Sequence, residues 1–208
     1  YEVTHHIEDG VVEVSFDISP TEQSKAVQLS REHRAEALSM RTILFPVRVA
    51  VIGASRREES IGALVMRNIL AAGFQGELYP IHRVAELIQG LKAYPSIHDV
   101  PEPVDLAVVV VPAAQAIDVV KDCGKAGVKA LLVLSAGFAE AGEEGVRLQE
   151  KLRRRVRRAG MRVVGPNSFG LINNDPAVRL HATLPPGIPV SGPPGLLPPS
   201  GAPRGARP

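Results

Sequence analysis

The sequence predicts an α/β protein with a Rossmann-like, doubly wound parallel sheet, and three observations support this fold class. Short β-branched runs alternate with segments of helical length from about residue 47 to residue 172, as in successive βαβ units. The run Val-Asp-Leu-Ala-Val-Val-Val-Val at 104–111 is nearly all apolar, which is typical of a parallel strand covered on both faces. Small residues follow the predicted strands, at the sheet edge where this fold binds ligands.

The flanking regions differ in composition from this central part. Residues 1–20 alternate apolar and polar on either side of Asp9-Gly10, which predicts a β-hairpin. Residues 21–45 are charged and rich in helix formers, so we expect a linker helix before a domain at 46–184. Residues 185–208 contain nine Pro and five Gly, and we expect this tail to be disordered.

Within the domain, periodicity predicts the individual elements. Ser60 is a plausible N-cap of the first helix because its hydroxyl can accept a backbone N–H of the first turn. We predict strands at 48–53, 77–81, 104–111, 129–134 and 161–164, and helices at 61–72, 113–126 and 143–159.

Composition excludes several function classes. The formal net charge is only +2, and the basic run at 151–158 has no interleaved aromatic residue, so we read it as a solvated helix face and expect no nucleic-acid partner. No apolar run reaches membrane-spanning length, and the first residues lack the pattern of a secretory signal. The single cysteine, Cys123, reads as a small core residue, and we expect a cytoplasmic protein without a metal site.

The loops after four predicted strands should meet at one edge of the sheet. The first turn, Gly53-Ala54-Ser55-Arg56, suits a phosphate near a helix N-terminus, but it is not the dinucleotide pattern G-x-G-x-x-G. The second strand is followed by Arg83 rather than by the acid that binds an NAD ribose. A cation there suits a phosphorylated ribose, either of NADP or of coenzyme A.

Further motifs along the chain complete an ordered set. They include 60–62 (Ser-Ile-Gly), 67–70 (Arg-Asn-Ile-Leu), 76–80 (Gly-Glu-Leu-Tyr-Pro), 111–113 (Val-Pro-Ala), 135–142 (Ser-Ala-Gly-Phe-Ala-Glu-Ala-Gly) and 165–170 (Gly-Pro-Asn-Ser-Phe-Gly). In this order and spacing the chain resembles the coenzyme-A-binding domain of NDP-forming acyl-CoA synthetases, such as ADP-forming acetate–CoA ligase, which are relatives of the succinyl-CoA synthetase α subunit.

The resemblance implies a site for coenzyme A or its esters along the carboxyl edge of the sheet. It assigns the phosphates to Gly53, Ala54, Ser55 and Arg56, the adenine to Val111, Pro112 and Ala113, and the pantetheine to Ser135, Ala136 and Gly137. Gly165, Pro166 and Asn167 match a loop that faces the phosphate side of the active site. After the second strand the family usually reads Tyr-Pro-Val-Asn-Pro, whereas this chain has Tyr-Pro-Ile-His-Arg at 79–83. Glu140 suits either a ligand contact or charge complementarity at a helix N-terminus.

The reaction of this family, acyl-CoA + ADP + phosphate ⇌ carboxylic acid + CoA + ATP, also uses a phosphorylated histidine and an ATP-grasp domain. Residues 196–202 resemble the start of the family's next domain, but Pro198 and Pro199 interrupt it. We therefore expect ATP and ADP to bind only through domains absent from this chain, and the chain to be incomplete for catalysis, with no catalytic residue of its own. Residues 1–20 resemble the end of a GNAT acetyltransferase in fused ligases. The alternatives are a stand-alone coenzyme-A-binding regulatory module and an NADP-binding reductase domain.

Overall fold

The computed structural model describes residues 3–8, 11–16, 37, 40–185 and 195–197, and the chain forms two compact units. In the first unit, Tyr1–Met40, strands β1 (Val3–Glu8) and β2 (Val11–Phe16) pair antiparallel with Val3 opposite Phe16, which is the expected hairpin. Ala37 and residues 40–44 are helical, and the rest of the expected linker helix lies outside the described residues. An acetyltransferase origin for the hairpin stays a prediction.

The second unit, Arg41–Pro208, contains the predicted parallel sheet. In chain order its elements are β3 (Arg48–Ile52), α1 (Ile61–Ala72), β4 (Glu77–Ile81), β5 (Leu87–Ile88), β6 (Leu91–Lys92), β7 (Leu106–Val109), α2 (Ala113–Lys125), β8 (Ala130–Val133), α3 (Glu143–Arg158), β9 (Arg162–Val164), β10 (Gly170–Asn173), β11 (Leu180–Thr183) and β12 (Gly195–Leu197). The main sheet has the order β4-β3-β7-β8-β9, and all its strands are parallel. The α/β Rossmann-like fold is confirmed.

The apolar pattern of the strands places the core. Side chains at alternate positions of β3, β7 and β8 form one cluster with residues of α2 and α3, among them Ala116, Val120 and Leu152. Strand residues between these positions point to the opposite face, because side chains alternate along a strand. Every residue of β7 and β8 is buried, as the continuous apolar run predicts. The winding direction reverses after β4, which opens a crevice between β3 and β7.

Helix α1 begins where the sequence predicts. The Ser60 hydroxyl accepts the N–H of Ala63 at 3.1 Å, and Gly73 ends the helix in a left-handed conformation with φ of 73°. A buried amide ties the helix to the second sheet, since Nδ2 of Asn68 donates to the carbonyl of Thr183 at 2.8 Å. No helix in the described ranges is both long enough and apolar enough to cross a membrane.

The second sheet, of order β11-β10-β12, departs from the sequence prediction. Strands β10 and β11 were not predicted, because the segment between them is polar and each strand is short. Strand β12 lies within the tail that we expected to be disordered, and it pairs antiparallel with β10, Leu196 opposite Leu171. It is three residues long, lies at the sheet edge and ends before Pro198, where a residue without an N–H costs no ladder bond. Apart from Pro185, the remaining tail residues lie outside the described range.

Candidate functional site

The carboxyl ends of the parallel strands form one continuous edge, and backbone hydrogen bonds join the loops that follow them. The N–H of Gly53 donates to the carbonyl of Ile81 at 3.3 Å, and the N–H of Val110 donates to that of Ile52 at 3.0 Å. Further along the edge, the N–H of Asn167 donates to the carbonyl of Ser135 at 3.0 Å. The loops therefore lie side by side in the order of their strands.

Glycine is required in the first turn because helix α1 starts against it. Gly53 has φ of 97°, and a Cβ added there would lie 3.0 Å from Cγ1 of Val111. A Cβ on Gly62 would lie 2.0 Å from the carbonyl oxygen of Gly53. The N-terminus of α1, with its positive end of the helix dipole, is therefore held next to the end of β3.

The other predicted residues of this turn have different environments. Ala54 is buried, and the Ser55 hydroxyl accepts the N–H of Arg57 at 3.1 Å, which closes the turn locally. The side chain of Arg56 is exposed. The exposed Arg56 guanidinium is thus a cationic group of this turn that an anion can reach.

A cavity of about 440 Å³ lies in the crevice between the turns after β3 and β4 and the exposed side of α2. Its wall includes three residues that the sequence predicts for the site, namely Gly53, Arg83 and Val111. The other wall residues, which are not among the predicted site residues, are Ile52, Ile81, His82, Pro95, Ser96, Ile97, Gln115, Asp118, Val119 and Asp122.

A sequence signal for part of this wall existed. Gln115, Asp118 and Asp122 are spaced by three and four residues, so they share one face of α2, and Val119 lies between them. A polar stripe at that spacing is also typical of any solvated helix face. Only the packing of α2 against the sheet decides which stripe faces the crevice.

The turn after β4 is organised around His82. Its Nδ1 accepts the N–H of Ala85 at 2.9 Å and that of Val84 at 3.1 Å. Its own backbone N–H donates to the carbonyl of Tyr94 at 2.9 Å. Both His82 and the exposed Arg83 line the cavity, so this turn supplies the cationic side of the wall.

The loop after β8 lies against the start of α2. Pro112 is exposed at the N-cap position of α2 and has no side-chain capping bond, whereas Ala113 is buried. Gly137, with φ of 98°, comes so close to this helix start that an added Cβ would lie 3.2 Å from that of Ala113. Ala136 is exposed, and the buried Ser135 hydroxyl donates to the carbonyl of Val109 at 3.3 Å.

Glu140 folds this loop rather than capping a long helix. Its Oε1 accepts the N–H of Gly137 at 2.6 Å and that of Phe138 at 3.1 Å. Burial alone would raise the pKa of Glu140, but backbone N–H groups of Glu140, Phe138 and Gly137 outweigh that effect and lower it. The carboxylate is therefore ionised and stabilises the turn after β8.

The last predicted loop packs against the same region. Gly165 has φ of 94°, and a Cβ there would lie 2.3 Å from the carbonyl oxygen of Val133. Pro166 is half-buried, and Asn167 has φ of 56°, a conformation that asparagine tolerates better than most residues. The structure thus gathers the predicted residues in one band. Gly53, Arg83 and Val111 lie at the cavity, and the loops after β8 and β9 lie together beyond the start of α2.

Comparison with known proteins identifies this arrangement. Residues 47–174 match the protein family described as CoA binding domain. The chain belongs to that family. The matched range covers the five-stranded sheet, the loops that follow its strands and β10.

Its relatives are ADP-forming acyl-CoA synthetases. The chain is 40% identical over 169 residues to the α subunit of an ADP-forming acetate–CoA ligase of Pyrococcus furiosus, covering 79% of this chain and 36% of that subunit. A 4-hydroxybutyrate–CoA ligase (ADP-forming) of Nitrosopumilus maritimus is 38% identical over 160 residues, covering 77% of this chain and 23% of the relative. The chain therefore spans only about a third or less of the length of these relatives.

A solved structure shares both fold and sequence. The acetyl-coenzyme A synthetase 1 of Candidatus Korarchaeum cryptofilum, determined in complex with phosphate and ADP, is 45% identical with a TM-score of 0.70. The match covers 74% of this chain and 32% of that chain. The CoA-binding domain is thus homologous to the α-subunit region of these enzymes, and it corresponds to only part of their length.

Proposed function

We propose that this chain binds coenzyme A along the carboxyl edge of its sheet and serves as the coenzyme-A site of an ADP-forming acyl-CoA synthetase. The observation that carries the proposal is the cavity beside the first turn. Its wall combines apolar side chains such as Ile52 and Val111 with the cationic Arg83. Its volume of about 440 Å³ falls in the range of small-molecule sites. Coenzyme A has matching parts, namely a flat apolar base and phosphates.

The two ends of the site suit different parts of the coenzyme. Ile52, Ile97 and Val119 offer apolar surfaces for the adenine, next to the predicted Val111. The backbone of the first turn and Arg56, at the N-terminus of α1, suit the diphosphate, because N–H groups and the helix dipole favour anions there. The pantetheine arm then runs toward the loops at 135–137 and 165–167, which carry exposed small residues.

Catalysis by the full enzyme needs groups beyond this domain. Bound coenzyme A supplies the thiol that accepts or releases the acyl group. The residues of this chain bind the coenzyme, orient its arm along the sheet edge and hold the loop at 135–138 through Glu140. Phosphate transfer and the binding of ATP or ADP belong, in this proposal, to other parts of the enzyme or to a partner subunit.

Calorimetric titration with coenzyme A tests the proposal on the full 208-residue chain. We expect saturable binding and a rise in melting temperature, because a ligand that binds only the folded state stabilises it by mass action. NADPH should give neither effect. Absence of saturable coenzyme A binding would overturn the proposal.

A pair of variants localises the binding. Gln115→Trp places a large ring in the cavity from an exposed position of α2, and it should weaken binding strongly. Lys121→Trp adds the same ring to the same helix at an exposed position that does not line the cavity, and it should bind almost as the wild type does. Equal affinities of the two variants would place the adenine elsewhere.

A further inference from the structure

The tautomer of His82 follows from its hydrogen bonds. Nδ1 accepts two backbone N–H groups, from Val84 and Ala85, and a ring nitrogen that accepts cannot carry a proton. The neutral imidazole therefore carries its proton on Nε2. The ring acts as an acceptor toward its own turn and as a donor on its other side.

The donor side of the ring is available to a ligand. Nε2 has no hydrogen-bond partner among the described residues, and His82 lines the cavity. The backbone bond of His82 to Tyr94, together with the two N–H bonds to Nδ1, holds the ring at the wall. Arg83 follows directly and also lines the cavity. Two donors on one turn, one of them cationic, suit a phosphate.

The charges across the cavity favour this location for an anion. Asp118 and Asp122 face the crevice from α2, and both are carboxylates that repel a phosphate. A guanidinium nitrogen (Nη1) of Arg155 on α3 lies 4.0 Å from Oδ1 of Asp118, so it compensates only part of the negative charge of Asp118 and Asp122. An anionic group that enters the cavity is therefore directed to the turn after β4.

We propose that Nε2–H of His82 and the guanidinium of Arg83 together bind the 3′-phosphate of coenzyme A, and that His82 also positions Arg83 by closing the turn. This inference rests on the proposed function, since it assigns one group of that ligand. It makes His82 a specificity residue for the phosphorylated ribose.

Two substitutions separate the functions of the ring. In His82→Asn, Oδ1 replaces Nδ1 as the acceptor of the two N–H groups, but no donor reaches the position of Nε2. In His82→Gln, the amide reaches that position but the acceptor for the turn is lost. The first variant should keep the turn and lose the contact between the ring and the phosphate. The second should keep a donor near the phosphate but loosen the turn that positions Arg83.

The measurement is the ratio of affinities for coenzyme A and dephospho-coenzyme A, which differ only in the 3′-phosphate. The wild type should prefer coenzyme A, and His82→Asn should reduce that preference by about tenfold, the worth of a hydrogen bond to a charged group. Amide exchange at Val84 and Ala85 should stay slow in His82→Asn and become faster in His82→Gln. In the wild type, coenzyme A but not dephospho-coenzyme A should shift the NMR signal of His82 Nε2.

The outcomes distinguish this inference from the proposed function. If the wild type binds both ligands equally, or if His82→Asn keeps the full preference, the inference is wrong and coenzyme A binding stands. A loss of affinity for both ligands by the same factor in His82→Asn would also overturn it, because the ring would then have only a structural role. A wild type that binds neither ligand would overturn the proposed function itself, and the inference with it.

Discussion

The ammonium of Lys129 lies 2.7 Å from Oδ1 of Asp105, at the sheet edge opposite the proposed site. The other oxygen, Oδ2, accepts the backbone N–H groups of Val47 and Arg48, both at 3.0 Å. One buried carboxylate thus joins the start of β7 to the chain entering β3 and to the residue preceding β8. It fixes the relative register of three strands at their amino ends.

Asp105→Asn should therefore destabilise the fold, by about 1–3 kcal/mol, because a charged acceptor of three hydrogen bonds is replaced by a neutral one. Lys129→Met should cost less, since 59% of the lysine side chain is exposed. Urea denaturation of the two variants and the wild type measures the difference. Equal stability of Asp105→Asn and the wild type at neutral pH would contradict this account.

The same carboxylate should contribute to acid sensitivity. Burial alone raises the pKa of Asp105, but the bonds from Lys129, Arg48 and Val47 outweigh it and hold the pKa below its ordinary value. A lowered pKa gives stability that is complete above the ordinary carboxyl pKa and is lost as the pH falls through the folded-state value. The stability gap between the wild type and Asp105→Asn should hence narrow on acidification, and urea midpoints across acidic pH will show whether it does.

Gly62→Ala should disrupt the first turn although alanine usually favours a helix. The added Cβ would lie 2.0 Å from the carbonyl oxygen of Gly53, so the helix must move away from β3. We expect a loss of roughly 1–3 kcal/mol, as for other overpacked sites, together with weaker coenzyme A binding. The control is Ile61→Ala, at a half-exposed position of the same helix, which should change stability and coenzyme A binding only slightly. Thermal melts and titrations that show no difference between the two variants would refute the steric argument.

Asn68 should tolerate no replacement that cannot donate. Its Nδ2 donates to the carbonyls of Thr183, at 2.8 Å, and Pro185, at 3.2 Å. Asn68→Ala leaves these oxygens without that donor and should cost about 1–3 kcal/mol. Asn68→Asp should cost more, because a buried carboxylate would face two carbonyl oxygens. If chemical denaturation shows that Asn68→Asp is more stable than Asn68→Ala, this account of the Asn68 contacts is wrong.

Cys123 should be unreactive in the folded protein. Its side chain is fully buried on α2, and burial, with a smaller effect of Asp122, raises the pKa of the thiol to about 12. The thiolate needed for reaction is thus almost absent at neutral pH. A thiol reagent should modify the chain only after unfolding. Cys123→Ser, which has no thiol, is the control for reaction at other residues. Rapid labelling of the native chain would show that this face of α2 opens.

Much of the fold could be predicted because the burial of continuous apolar strands dominates it. The strands at the sheet centre are continuous apolar runs, and Ser60 and Gly73 bound α1 with residues whose chemistry is local. Strands β10, β11 and β12 are as short as the predicted β7, β8 and β9, but they mix apolar residues with glycine or polar ones instead of continuing an apolar run. Their pairing also depends on partners distant in sequence. Short strands carry too few alternations to be distinguished from loops.

The site was predictable to a smaller extent, for a related reason. Glycines such as Gly53 and Gly165 reveal a turn by their own conformational needs, so the loops could be read from the sequence. The opposite wall of the cavity, with Gln115 and Asp118, depends on how α2 is rotated against the sheet, which only core packing decides. His82 was recognised only as a departure from the family pattern, and its role in the turn became evident from the ring geometry.

The two outer strands of the main sheet have a consequence for solubility. The side of β4 that faces away from β3 contains Pro80. The carbonyl of Pro80 accepts the N–H of Tyr94, so the segment around Tyr94 covers this edge of the sheet. At the other margin, β9 is only three residues long and begins with the exposed Arg162. Neither margin offers a long flat row of unpaired backbone groups to a second molecule. A sheet this apolar at its centre is thereby protected against growing, strand by strand, into an aggregate.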